Sequence, residues 1–295
     1  MSTVVLLVLT GLGLGALYFL VASGLSLIFG LMDVLNFAHG ALLSIGAYAT
    51  WWAASGHLQG AGPGGFGFVL AVVFGVCAGT VAAVLVELLV VRPLYTRPRE
   101  QVLATVGISL AVPALLAGIW GSDAHRFPGP EALGDTFGLL GARVPVNRLV
   151  LVAAAVVVWA GLKLFLDRTR YGLVVRAGVE DRAMVTALGI DVRKAFTLVF
   201  AIGGAAAALG GALGGLYFGS VDPRQGTSLL IFAFVVVVTG GMGSVSGAAV
   251  ASVVIGLVQQ FANYYTTAGL GDLAVVVLLA ALLLLRPRGL TGRLA

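Results

Sequence analysis

Apolar runs follow one another along almost the whole chain, and this pattern limits the fold more than any motif does. Nine windows stand out, at roughly Val4–Phe29, Val34–Ala54, Phe68–Val91, Val102–Trp120, Leu149–Leu166, Ala195–Tyr217, Leu229–Thr239, Ala248–Ala262 and Leu273–Leu285. A membrane-crossing helix needs about 20 mostly apolar residues. Only 10% of the residues are charged and the mean hydropathy is +1.08, whereas a soluble domain is about 25% charged. No polar skin can be assembled from this sequence, so a bilayer is its solvent. The expected fold is all-α, a polytopic transmembrane bundle of about eight to nine spans with broken helices, in a single domain over residues 1–295. The count is eight if the two short windows beside Gly240–Gly247 form one broken element. The 43 glycines fit helices that approach closely in lipid.

The termini and loops refine this reading. The start MSTVVLLVLT lacks a basic region and a clear cleavage site, and reads as the first span. Cys77 stands alone in an apolar run, as a packing residue with no disulfide framework. The net charge of +5 reports orientation and not nucleic-acid binding. One set of loops holds Arg92, Arg97, Arg99, Arg168, Arg170, Arg176, Arg182, Arg193, Lys194, Arg286, Arg288 and Arg293, with Lys163 near a helix end on the same side. The other loops hold only Arg126, Arg143, Arg148 and Arg224. The positive-inside rule makes the first set, and the C-terminus, cytoplasmic. The N-terminus is then outside with nine spans and inside with eight. The longest outer loop, Gly121–Asn147, reads as an irregular cap.

Two segments interrupt the apolar pattern. GLMDVLNFAHG, Gly30–Gly40, places Asp33, Asn36 and His39 close together, and TGGMGSVSG, Thr239–Gly247, is rich in glycine. Paired interruptions of hydrophobic segments point to a solute site, because a restarting helix presents free N–H groups and a positive dipole end. Asn36 or Asp33 can cap a helix that starts near Phe37, and Ser244 and Ser246 can do so after the second break. The candidate pathway residues are Asp33, Asn36, Phe37, His39, Gly40, Gly240, Gly241, Gly243, Ser244 and Ser246. Asp33 has a second reading, as an acid facing water between complete helices. His39 reads more readily as a hydrogen-bonder between helices than as a titrating group. It has no metal-ligand spacing. Glu87 is placed near the inner interface, and Gln259, Gln260 and Asn263 read as interhelical hydrogen-bonders.

The cytoplasmic segment 167–194 is too polar to span. Val174, Ala177, Met184, Val185 and Leu188 share one helical face, Arg176, Glu180 and Arg182 lie on others, and Gly189 is a natural stop. Such a face suits a groove on a partner protein or a lipid surface. The only lysines, Lys163 and Lys194, do not follow glycine, so there is no phosphate-binding loop of the G-x-x-x-x-G-K type. If ATP drives this protein, another chain binds it. No nucleophile–base constellation suggests an enzyme, since Gly243–Gly247 misses the G-x-S-x-G spacing.

The stretch ALYFLVASGLSLIFGLMDVLNFAHGALLSIGAYA (Ala16–Ala49) resembles the first helices of LivH-type permeases of branched-chain amino acid ABC transporters. The segments Tyr171–Phe196 and Phe232–Gln259, and the final LLLLRPRGL, are similar to the same family. The resemblance covers nearly the whole chain. It implies an importer permease in the bacterial inner membrane that binds no cofactor itself. ATP and Mg would sit on two cytoplasmic ATPase subunits. Its other implied partners are a LivM-type sister permease, an extracytoplasmic solute-binding protein and membrane lipid. It further implies that Tyr171, Gly172, Arg176, Ala177, Glu180, Asp181, Ala187, Gly189 and Ile190 couple to the ATPases. The implied solute is a branched-chain or other apolar amino acid, although relatives in the superfamily carry urea, short amides or sugars.

Overall fold

A computed structural model describes residues 2–32, 36–139, 141–180, 184–185, 192–267, 269–286 and 289–290. Each of the nine apolar windows falls on a helix. In chain order these helices are α1 (Ser2–Met32), α2 (His39–Trp52), α3 (Gly65–Val86) and α4 (Pro98–Trp120), then a single turn α5 (Glu131–Gly134), α6 (Val146–Arg168) and α7 (Arg170–Glu180). They continue with α8 (Val192–Phe218), α9 (Gln225–Gly240), α10 (Val245–Tyr265) and α11 (Leu270–Leu285). Among the described residues six helices are long and apolar enough to cross a membrane, namely α1, α3, α4, α6, α8 and α10, while α9 and α11 are shorter apolar helices. At 14 residues, α2 is shorter still, so the span count of eight to nine is approximate. The all-α, polytopic class stands.

The Gly121–Asn147 segment is more regular than an irregular cap. Strand β1 (His125–Arg126) pairs with β4 (Ser220–Val221), and β2 (Thr136–Leu139) forms an antiparallel hairpin with β3 (Ala142–Pro145). These strands mark one end of the bundle, the loop end. The opposite, basic end holds the α3–α4 connection, α7, the first turn of α8 and the α9–α10 turn.

Burial separates a core from a periphery. The α8 and α1 spans are 67% and 61% buried, against 11% for α4 and 17% for α6. In the centre, α1 packs on α10, α8, α6 and α9, and α8 packs on α2 and α3. Glycine makes this possible. A Cβ on Gly24 would run into the Gly203 backbone, with the Gly203 Cα at 2.9 Å, and one on Gly15 would meet the Val253 Cα at 3.2 Å. The helices therefore touch backbone to backbone, the close approach that small residues permit in lipid.

Candidate functional site

The α1–α2 break contains the first candidate residues. His39 is fully buried, and its Nε2 lies 2.9 Å from the Val21 carbonyl. Because a carbonyl only accepts, this ring nitrogen donates, and His39 ties α2 to the middle of α1. Val21 lies 11 residues before Met32, so α2 starts about 16 Å back along α1 from its end. Asn36 organises the entry to α2. Its Oδ1 accepts from the Ala38 N–H at 3.1 Å, and its carbonyl accepts from the His39 N–H at 3.2 Å. The helix begins at His39 rather than Phe37, and Ala38 in the N-cap position makes no side-chain cap. Phe37 tilts against Phe234 at 5.2 Å between ring centroids. Gly40 lies so close to α9 that a Cβ would sit 2.8 Å from the Gly226 carbonyl oxygen. Asp33 lies outside the described residues.

The second interruption is a tight turn. Gly241 and Gly243 have φ of +99° and +82°, values that favour glycine. Ser244 caps α10, its hydroxyl accepting from the Gly247 N–H at 3.0 Å. Gly240 packs on Gly247 and Ala248, and Ser246 is exposed. The turn touches the end of α1, where a Cβ on Gly30 would lie 2.8 Å from the Gly243 Cα. The structure thus brings Gly30 to the second break. It sets Gly40 apart from that break, beside Gly226, which is 14 residues or about 21 Å along α9 from Gly240.

At the basic end, Glu87 is fully buried within a polar cluster. Its carboxylate accepts from Arg92 at 3.2 and 3.3 Å, from the Tyr95 hydroxyl at 2.5 Å and from the Thr197 hydroxyl at 3.0 Å. Arg92 also donates to Thr197 at 2.6 Å. A wider, π-type turn over Glu87–Val91 brings Glu87 and Arg92 together. Every oxygen of this acid is used, as burial of a charge requires.

Beside this cluster, Thr169 Oγ1 accepts from the Gly172 N–H at 2.9 Å and fixes the α6–α7 corner. Arg176 is exposed and pairs with Asp167 at 3.3 Å. The face expected to dock elsewhere is mostly turned inward. Val175 and Val185 join the bundle core, with Val174 and Ala177 packed against it. Among the described residues of this segment, the outward apolar side chains are Tyr171, Leu173 and Met184. Glu180 closes α7, while Asp181, Arg182, Ala187, Leu188, Gly189 and Ile190 lie outside the described residues.

A cavity of about 450 Å³ with polar walls lies at the loop end, between α1, α9, α10, α11, the end of α8 and the segment after it. The Tyr18 hydroxyl donates to Gln259 Oε1 at 2.6 Å, and Gln259 Nε2 donates to Asp272 at 2.6 Å. Asn263 accepts from the Gly271 N–H at 3.0 Å. The expected interhelical roles of Gln259 and Asn263 are therefore seen, and Gln260 lines the cavity. Sequence reasoning passed over Tyr18, Asp222, Gln225 and Asp272. For Tyr18 a signal existed, because a tyrosine deep in an apolar span needs a hydroxyl partner. Among the described residues no His/Cys/Asp/Glu group could hold a metal.

A family model described as "Branched-chain amino acid transport system / permease component" matches residues 7–285. The high-affinity branched-chain amino acid transport system permease protein LivH of Escherichia coli K12 is 28% identical over 293 residues, covering 96% of this chain and 94% of that one. BraD of Pseudomonas aeruginosa, named for the same kind of system, is 28% identical over 300 residues with the same coverage. A probable branched-chain amino acid transport permease protein LivH of Methanocaldococcus jannaschii is 27% identical, over 92% of this chain and 88% of its own. No solved structure matches.

Proposed function

The chain belongs to the family of branched-chain amino acid transport system permease components, and on that premise we propose that it is the membrane-spanning subunit of an ATP-driven importer of branched-chain or other apolar amino acids. The supporting observation is the family match over residues 7–285, on a chain built as a multi-pass membrane bundle. In this reading the chain is not itself a catalyst and binds no cofactor. Hydrolysis belongs to cytoplasmic ATPase subunits, solute arrives on an extracytoplasmic binding protein, and a LivM-type sister permease completes the membrane core.

The basic end is cytoplasmic in this proposal, which puts the C-terminus inside and the strand-bearing loop end outside. The concentration of Arg and Lys at that end supports the assignment. Segment 167–194 is the coupling element. In support, α7 lies at the basic end and exposes Tyr171, Leu173 and Arg176, while Gly172 fixes its corner. The pathway runs beside the Asn36–Gly40 restart of α2 and the Gly240–Ser246 turn, with Asp33 included. Broken backbone at membrane depth is tolerated where it lines a cavity or is covered by protein.

Reconstitution in liposomes tests the proposal. With the ATPases, sister permease and binding protein present, leucine, isoleucine or valine should accumulate only when ATP is supplied, and the purified chain alone should move none of them. Uptake by the chain alone, coupled to an ion gradient, would indicate a secondary carrier. Arg176→Glu should abolish ATP-driven uptake without blocking membrane insertion, and full uptake by that variant would remove Arg176 from the coupling element.

A further inference from the structure

We propose that the loop-end cavity is a solute-binding station that holds the amino acid by its charged head, with Gln225 as the principal polar contact. The inference deepens the importer reading above and rests on it. Gln225 is only 8% exposed and lines the cavity, yet among the described residues neither its Nε2 nor its Oε1 has a hydrogen-bond partner. A buried primary amide without partners is unfavourable, and it is the kind of group a ligand completes. The amide both donates and accepts, as recognition of a zwitterion requires.

The rest of the wall fits the same ligand. Asp222 and Asp272 line the cavity, and neither forms an ion pair with a cation among the described residues. One oxygen of each is already engaged, by the Arg224 N–H at 2.7 Å and by Gln259 at 2.6 Å. Those bonds fix the carboxylates and leave acceptor capacity for an ammonium group. The Tyr18 and Phe232 rings stack at 5.0 Å and 13°, forming a flat apolar wall. A cavity of about 450 Å³ lies within the usual range for small-molecule sites, about 300–1,000 Å³. In the assigned pose the ammonium group faces the two acids, the Gln225 amide, covered in the resting protein, turns into the cavity to donate its N–H groups to the solute carboxylate, and the branched side chain lies along the ring pair.

The test uses the complete importer in proteoliposomes with Gln225→Leu and Phe232→Trp variants. Subunit co-purification verifies assembly, and ATP-driven uptake of radiolabelled leucine and valine is the readout. Gln225→Leu should lower uptake of both amino acids tenfold or more. Phe232→Trp should lower the leucine-to-valine uptake ratio at least threefold, because the larger ring crowds the longer side chain first. If Gln225→Leu does not assemble, the Phe232→Trp ratio alone decides. Wild-type uptake and ratio in both variants would overturn the binding station and leave the importer reading standing. Reduced uptake in Gln225→Leu with an unchanged Phe232→Trp ratio would assign Gln225 to structure and also overturn it. A wild-type complex that imports neither amino acid would overturn both readings.

Discussion

Two polar clusters sit at opposite ends of the bundle, and they are built on opposite terms. At the basic end the Glu87 carboxylate is met from three sides by Arg92, Tyr95 and Thr197. At the loop end Tyr18, Gln259 and Asp272 form a relay beside Gln225, whose amide has no hydrogen-bond partner among the described residues. A completed cluster contributes to holding helices in place, since removing one member strands the others. At the loop end the relay still ties its helices together, but the unpartnered Gln225 amide contributes nothing to the resting fold and suits a transient guest. The difference separates a joint from a site more sharply than residue type does, because acids, amides and hydroxyls occur at both ends.

Substitutions can break this comparison. The largest expected effect is at Glu87. Glu87→Ala removes an acceptor shared by three donors and leaves a hole, and should cost about 3 kcal/mol, seen as a lower unfolding temperature in detergent. A variant with wild-type stability would mean that the cluster is not a joint. Tyr18→Phe comes next. It leaves Gln259 Oε1 without its donor and should cost about 1 kcal/mol, the scale measured for interhelical hydrogen bonds in membranes. Gln225→Leu should go the other way, unchanged or up to about 1 kcal/mol more stable, because an apolar side chain replaces an unpaired amide. A clear loss of stability there would show that Gln225 is bonded in the resting protein. The smallest effect is expected for Asp167→Asn, which removes an exposed pair with Arg176 at 3.3 Å and should change stability by less than about 0.5 kcal/mol.

The spans were legible because apolar runs of this length have few alternatives in water or in lipid. Their inner boundaries were less so. The polar residues placed the restart near Phe37, and α2 begins two residues later, at His39, whose bond to Val21 on another helix leaves no mark in the sequence. The short strands escaped notice because two- and four-residue pairings depend on tertiary neighbours such as Val221 opposite His125. The burial of Glu87 in a cluster was hidden because its bond to Thr197 spans 110 positions. Gln225 left no trace in the pattern, as nothing in a sequence shows that a side chain will be buried without a partner. Segment 167–194 misled in another way. Its periodicity grouped Val174, Ala177 and Val185 correctly, but periodicity cannot tell a face that meets a partner from one that meets its own bundle.

The glycine contacts between α1, α8 and α10 have a mechanical consequence. Where Gly24 faces Gly203 and Gly15 faces Gly256, no side chain lies between the backbones to act as a lubricating layer. Sliding one helix past the other would drive peptide groups into each other, so these three rods are expected to travel as one stiff block during a transport cycle. The strain of alternating access then falls on the loosely held outer helices. Spin labels placed at the exposed ends of α1 and α8 should report one unchanging separation with and without ATP, whereas labels on α4 and α1 should report two.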